Sequence, residues 1–131
     1  MSKLAILFVD DEAVILNSIL RQIQDEFDDR YIYETAENAE EALEVLDELQ
    51  EEETKVVIVV SDWLMPGMKG DELLVEVHKR FPKTVKILLT GQADDEAIER
   101  AKNEADLHQF IPKPWSKEEL INSIKSGIDR L

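Results

Sequence analysis

The chain has 131 residues, 44% of them hydrophobic and none of them cysteine. That length fits one ordinary domain, the apolar share speaks against disorder, and the missing thiols exclude a disulfide scaffold, a thiolate zinc site and a cysteine nucleophile. With 30 acidic against 15 basic residues the formal charge is −15, which repels phosphate backbones, argues against nucleic acid as a partner of this chain, and favours cations and basic protein patches.

The first element is the apolar run Leu4–Val9. It is shorter than the core of a signal peptide and far too short to span a bilayer, and no other stretch is long enough, so no membrane segment is expected. It reads as a strand buried on both faces. Leu16, Ile19, Ile23 and Phe27 then follow the period of an amphipathic helix. Tyr31–Thr35 is a weaker strand, and Ala42, Leu43, Leu46 and Leu49 mark a second helix, with Asn38 and Glu41 at capping-box spacing. Glu51–Glu53 reads as a solvated loop before the strand Val56–Val60. Leu73, Leu74 and Val77 give a third helix, and Val85–Leu89 a fourth strand. Ala97, Ile98, Ala101 and Ala105 form a narrow small-residue stripe on a fourth helix. His108–Ile111 is a weaker fifth strand, and Leu120, Ile121, Ile124 and Ile128 close the series behind the capping pair Ser116 and Glu119.

Five strands alternating with five helices imply right-handed crossovers and a doubly wound parallel α/β sheet covered on both faces. With no Pro/Gly/Ser-rich linker and no domain-scale repeat, residues 1–131 are expected to form one domain. Ligands of such sheets bind beyond the carboxyl ends of the strands. At those ends stand Asp10, Asp11 and Glu12 after strand 1, Ser61-Asp62 after strand 3, Thr90-Gly91 after strand 4 and Lys113-Pro114 after strand 5. Each alone reads as a cap, a strand end or a loop residue. Together they bring acids, a hydroxyl and an ammonium to one edge. That set suits a carboxylate attacking a phosphoryl group, with Mg²⁺ on hard oxygen ligands and Lys113 as a point charge on a phosphoryl oxygen.

The ordered motifs Phe8-Val9-Asp10-Asp11-Glu12, Ser61-Asp62-Trp63-Leu64-Met65-Pro66-Gly67-Met68-Lys69-Gly70, Leu89-Thr90-Gly91 and Lys113-Pro114-Trp115 resemble a bacterial response-regulator receiver domain over essentially the whole chain. The resemblance implies a flavodoxin-like sheet of order 2-1-3-4-5. It implies Asp62 as phospho-acceptor, with Asp10, Asp11, Asp62 and the backbone carbonyl of Leu64 holding Mg²⁺. It further implies Thr90 as the switch hydroxyl, Phe110 as the switch aromatic, Lys113 as the conserved-type ammonium, and a cis Lys113–Pro114 bond. The phosphoryl donor would be a sensor histidine kinase or a histidine phosphotransfer protein. The signal would leave by the face of helix 4, strand 5 and helix 5, toward an output domain, a downstream protein or a second copy of the chain.

Phe110 lacks a tyrosine hydroxyl, so its switch would rest on ring packing. Leu64 offers no polar group to the attacking water, which points to a longer-lived phosphoryl group, although Gln92 stands two residues after Thr90. The stripe Ala97, Ala101 and Ala105 is read first as packing on the sheet and second as a surface that another chain could approach closely. His78 sits where a cation suits the end of a helix, and neither it nor His108 has metal-ligand spacing. The chain is expected to be a cytoplasmic signalling domain rather than an enzyme. A hydrolase with an aspartyl nucleophile would carry a general acid at the position of Leu64, and no P-loop or Gly-x-Ser-x-Gly elbow is present. A non-phosphorylated pseudo-receiver is the alternative reading; the complete acid, threonine and lysine set argues against it.

Overall fold

The computed structural model describes residues 3–91 and 95–131. In chain order the elements are β1 (Lys3–Val9), α1 (Ala13–Phe27), β2 (Ile32–Ala36), α2 (Ala39–Glu51), β3 (Thr54–Asp62), α3 (Gly70–Arg80), β4 (Val85–Thr90), α4 (Asp95–Glu104), β5 (Gln109–Pro112) and α5 (Lys117–Ile128). The strands form one sheet of order β2-β1-β3-β4-β5, and every pairing is parallel. The expected flavodoxin-like order is therefore the observed one.

The sheet separates two cores. Ala5, Leu7 and Val9 of β1 face α2 and α3, where they meet Ala42, Leu46, Leu73, Leu74 and Val77. Ile6 and Phe8 face the other side and meet Leu16, Ile19 and Ile23 of α1 with Leu120 and Ile124 of α5. Both faces of β1 are thus covered, which is why its sequence runs apolar without alternation. β3 carries one extra residue against β1: Ala5 pairs with Val56, but Ile6 pairs with Ile58. As a result Val57 and Ile58 both join the α1/α5 core, while Val56 and Val59 join the other.

Local chemistry sets several boundaries. Ser116 Oγ accepts from Glu119 N–H and Glu119 Oε1 accepts from Ser116 N–H, a full capping box at the start of α5. Asn38 caps α2 by accepting from Glu41 N–H at 2.8 Å. α2 continues through Glu51, one residue into the expected loop, and the turn is made at Glu53, whose φ is 61°. The edge strand β2 starts one residue later than its sequence suggested, and β5 likewise. Ala97, Ala101 and Ala105 are buried within the domain, and α4 packs against α3. The stripe therefore packs inside this chain, chiefly against α3 rather than on the sheet as expected. Among the described residues, no helix is long and apolar enough to cross a membrane.

Candidate functional site

The functional edge is built by the ends of β1, β3, β4 and β5. Asp10 follows β1 and is fully buried. Its Oδ1 accepts the Glu12 N–H at 2.9 Å, a turn that fixes the carboxylate as the chain enters α1. Its backbone N–H donates to Ala36 O across the end of β2. Asp62 ends β3, paired with Leu89 of β4 and 4% exposed. Beyond it the chain returns on itself. Trp63 N–H donates to Leu89 O, and Gly70 N–H donates to Trp63 O, both at 2.9 Å. Gly67 makes the turn at φ +78°, a conformation other residues rarely hold, and Met65 anchors the loop in the α2/α3 core. At Gly70 an added Cβ would stand 2.1 Å from the Asp62 carbonyl oxygen, so only glycine lets α3 begin there.

Lys113 closes the site. Its backbone N–H donates to Thr90 O, and its Nζ lies 2.8 Å from Asp62 Oδ1 and 3.7 Å from Asp10 Oδ2. The Lys113–Pro114 bond is cis, as the resemblance implied. Burial pulls the Lys113 ammonium down, but its hydrogen bond and charge pairing with Asp62, together with Asp10 and Glu12, hold it above its ordinary value. Burial pushes the Asp10 carboxyl up, and the charges of Asp62 and Asp11 add to this against the Glu12 N–H and Lys113.

Oxygens of Asp10, Asp11 and Asp62 lie within 4.8 Å of one another. Asp10 Oδ2 is buried with no hydrogen-bond partner, since Lys113 Nζ is too far to donate to it. A buried, unpaired carboxylate oxygen is costly unless a cation meets it. Three hard oxygen donors with one such orphan fit Mg²⁺, which takes few protein ligands and keeps several waters. Asp11, Asp62, Leu64, Gly91 and Lys113 line an open cleft of about 490 Å³ over these groups.

The structure thus brings Asp10, Asp11, Asp62 and Lys113 together and sets Leu64 at the rim, 60% exposed. Thr90 ends β4 opposite Pro112, next to Gly91 of the cleft. Phe110 stands farther back on β5, 37% exposed, with Lys102 Nζ 5.7 Å above its ring. Gln92 lies outside the described residues. Trp115 is half-buried against the α1/α5 core.

Residues 6–125 match the family model described as the response regulator receiver domain. The chain belongs to that family. It is 35% identical over 124 residues to the hydrogenase transcriptional regulatory protein HoxA of Cupriavidus necator, covering 95% of this chain and 24% of that relative. The receiver domain thus spans about a quarter of that longer protein. A CheY-like receiver domain protein from Methanospirillum hungatei superposes with a TM-score of 0.83 at 32% identity, over 98% of this chain and 95% of that one. The signal receiver domain of an HD domain-containing protein from Pseudomonas fluorescens gives a TM-score of 0.85 at 30% identity, over 98% and 96%.

Sequence reasoning missed three contributors to this receiver. It quoted Gly70 within a motif without seeing its approach to Asp62. It passed over Asp71, whose Oδ1 accepts the Trp63 indole N–H at 3.0 Å, and Arg100, which reaches Asp71 from α4. Asp71 reads in sequence as an ordinary first-turn acid of a helix, and nothing in the spacing links it to a residue 29 positions away. His78 lies in the last turn of α3, with its Nδ1 2.7 Å from Lys86 Nζ, a contact the sequence did not suggest.

Proposed function

We propose that this receiver domain accepts a phosphoryl group on Asp62 from a phosphohistidine donor, and that it is a signalling domain rather than a turnover enzyme. A carboxylate oxygen of Asp62 attacks phosphorus, the P–N bond to the donor imidazole breaks, and the imidazole keeps that electron pair. An acyl phosphate results. The observation that carries the reading is Lys113 Nζ at 2.8 Å from Asp62 Oδ1 beside the orphan oxygen of Asp10. One cation is already in place for the incoming charge, and the acids are arranged for a second.

Asp10, Asp11 and Asp62, with the Leu64 carbonyl, would hold Mg²⁺. The ion supplies charge neutralisation between the acids and the phosphoryl oxygens. Lys113 orients Asp62 before the reaction and moves onto a phosphoryl oxygen after it. Thr90 donates a hydroxyl hydrogen bond to another oxygen. The group brings about −1.5 to −2 charges into an acidic site, so Thr90 and Lys113 are drawn toward it. The loop after β4 follows Thr90, Phe110 leaves Lys102 and turns inward, and the α4–β5–α5 face is reshaped. That face would signal to an output domain, to a downstream protein or, as a homodimer, to a second copy. The relatives named above, a transcriptional regulatory protein and an HD domain-containing protein, illustrate outputs of different kinds. A donor kinase or phosphotransfer protein places the chain in the cytoplasm.

The deciding experiment is incubation with Mg²⁺ and acetyl phosphate, read by intact mass beside Asp62→Ala. Gain of one phosphoryl group, lost in Asp62→Ala and on EDTA treatment, is the expected result. No gain, together with a flat Mg²⁺ titration of Trp63 emission, would favour the pseudo-receiver.

A further inference from the structure

Asp71, the second residue of α3, is 1% exposed. A carboxylate that deep is strongly unfavourable unless both its oxygens are met. Here both are: Oδ1 accepts the Trp63 indole N–H, and Oδ2 accepts Nη1 of Arg100 from α4. The Asp71 hydrogen bond and charge hold the Arg100 guanidinium above its ordinary value. The indole belongs to the residue directly after Asp62. The start of α3 is seated on the same peptide, through Gly70 N–H on Trp63 O and through the absent Cβ at Gly70. An unbroken series of contacts therefore runs from the Asp62 backbone through Trp63 and Asp71 to Arg100. It uses neither the Thr90 nor the Phe110 side chain.

We infer that Asp71 and Arg100 are positioning residues that couple the Asp62–Trp63 peptide to the placement of α4, an inference that rests on Asp62 being the phospho-acceptor. The bridge is formed in the arrangement where Lys113 is paired with the bare Asp62 carboxylate. A shift of α4 must either pull Arg100 off Asp71, leaving a buried unpaired carboxylate beside the indole, or drag Asp71 and Trp63 with it. Both are unfavourable, so the bridge opposes the shifted state. Coupling is reciprocal: loosening the bridge makes the shifted state easier to reach and the phosphoryl group easier to accept. An ion pair that served only the fold would leave the chemistry at Asp62 unchanged.

The test uses Trp115→Phe as parent, so that Trp63 is the only indole of the chain's two tryptophans. Phosphorylation by acetyl phosphate with Mg²⁺ is followed by intact mass and by Trp63 emission. Arg100 is half-exposed, so Arg100→Gln opens no cavity, and Asp71→Asn controls for the buried carboxylate oxygen that it leaves unpaired. It is expected to take up the phosphoryl group about fivefold faster than the parent and to show, before phosphorylation, emission already moved toward the phosphorylated value. Asp71→Asn keeps the oxygen that accepts the indole N–H and removes the charge, and is expected to match it. Arg100→Lys keeps a cation and is expected to return the rate toward the parent's. Equal rates and equal emission in parent and Arg100→Gln overturn the coupling and leave the acceptor reading intact. Slower uptake in Arg100→Gln also overturns it, since the bridge would then belong to the phosphorylated arrangement. A parent that gains no phosphoryl group overturns the acceptor reading, and the coupling with it.

Discussion

Two lysines are drawn into this domain at opposite ends of its sheet, Lys86 fully and Lys113 in part, and their ammonium groups are shifted in opposite directions. Lys113, beyond β5, lies against Asp62 and Asp10 and is held above its ordinary value despite burial. Lys86, near the start of β4, is 1% exposed, lies 2.7 Å from His78 Nδ1, donates to Pro82 O, and is pushed by burial down to about 8. The first has carboxylate partners in contact; the second has, among the described residues, no carboxylate within ion-pair distance. Depth alone therefore does not identify a functional cation. The partners decide whether burial yields a charge poised for chemistry or a charge merely tolerated by the fold.

The sharpest way to break this comparison is to remove each ammonium in turn. Lys113→Met is expected to slow acetyl-phosphate labelling of Asp62 about 100-fold or more, measured by intact mass. Lys86→Met is expected to leave that rate within about twofold and to stabilise the fold at pH 7 by about 1–3 kcal/mol in urea unfolding. A large labelling defect in Lys86→Met would erase the distinction.

Titration sharpens it further. The unfolded chain holds the Lys86 proton up to 10.5, the folded chain only to about 8. Between those values the unfolded state binds more protons, so stability rises with pH across that window, by on the order of 3 kcal/mol in total. Below pH 8 the penalty is fully present. Urea unfolding from pH 7.5 to 10 checks this, and Lys86→Met should flatten the rise.

On the acid side of Lys113, Asp10→Asn replaces the charge beside the orphan oxygen and is expected to weaken the Mg²⁺ response of Trp63 fluorescence about tenfold. At the rim, the apolar Leu64 leaves attacking water unoriented, so the acyl phosphate is expected to decay slowly. Leu64→Asn should shorten its lifetime about fivefold in a phosphate-release time course. Ser116→Ala touches neither lysine. Loss of its capping box should cost about 1 kcal/mol of stability with no change in labelling.

Much of this contrast was legible in the sequence, and its legibility follows from geometry. The strand ends put Asp10, Asp11, Asp62 and Lys113 at one edge because a parallel sheet aligns its carboxyl ends, so a motif after each strand is enough to place the residues. The half-buried β2 was weaker to read because only Ala36 of its five residues is fully buried and its outer edge is unpaired. Lys86 was hidden inside an apolar run, where one long side chain does not disturb the period. The pairing of Asp71 with Arg100 was invisible because it depends on how α4 lies on α3, which no local pattern encodes.

The extra residue of β3 sets the strand's reading frame. Upstream of Val57 one parity of positions faces α2 and α3; downstream the other parity does. Substitutions at Val57 alter packing at one point. Deleting it would leave Val56, Ile58, Val59 and Val60 alternating between the two cores against the same β1 partners, so the Asp62 end would keep its face and only the packing of Val57 would be lost. Val57 is thus a side chain spliced into the α1/α5 core at a point where the strand can gain or lose a residue without turning its end over.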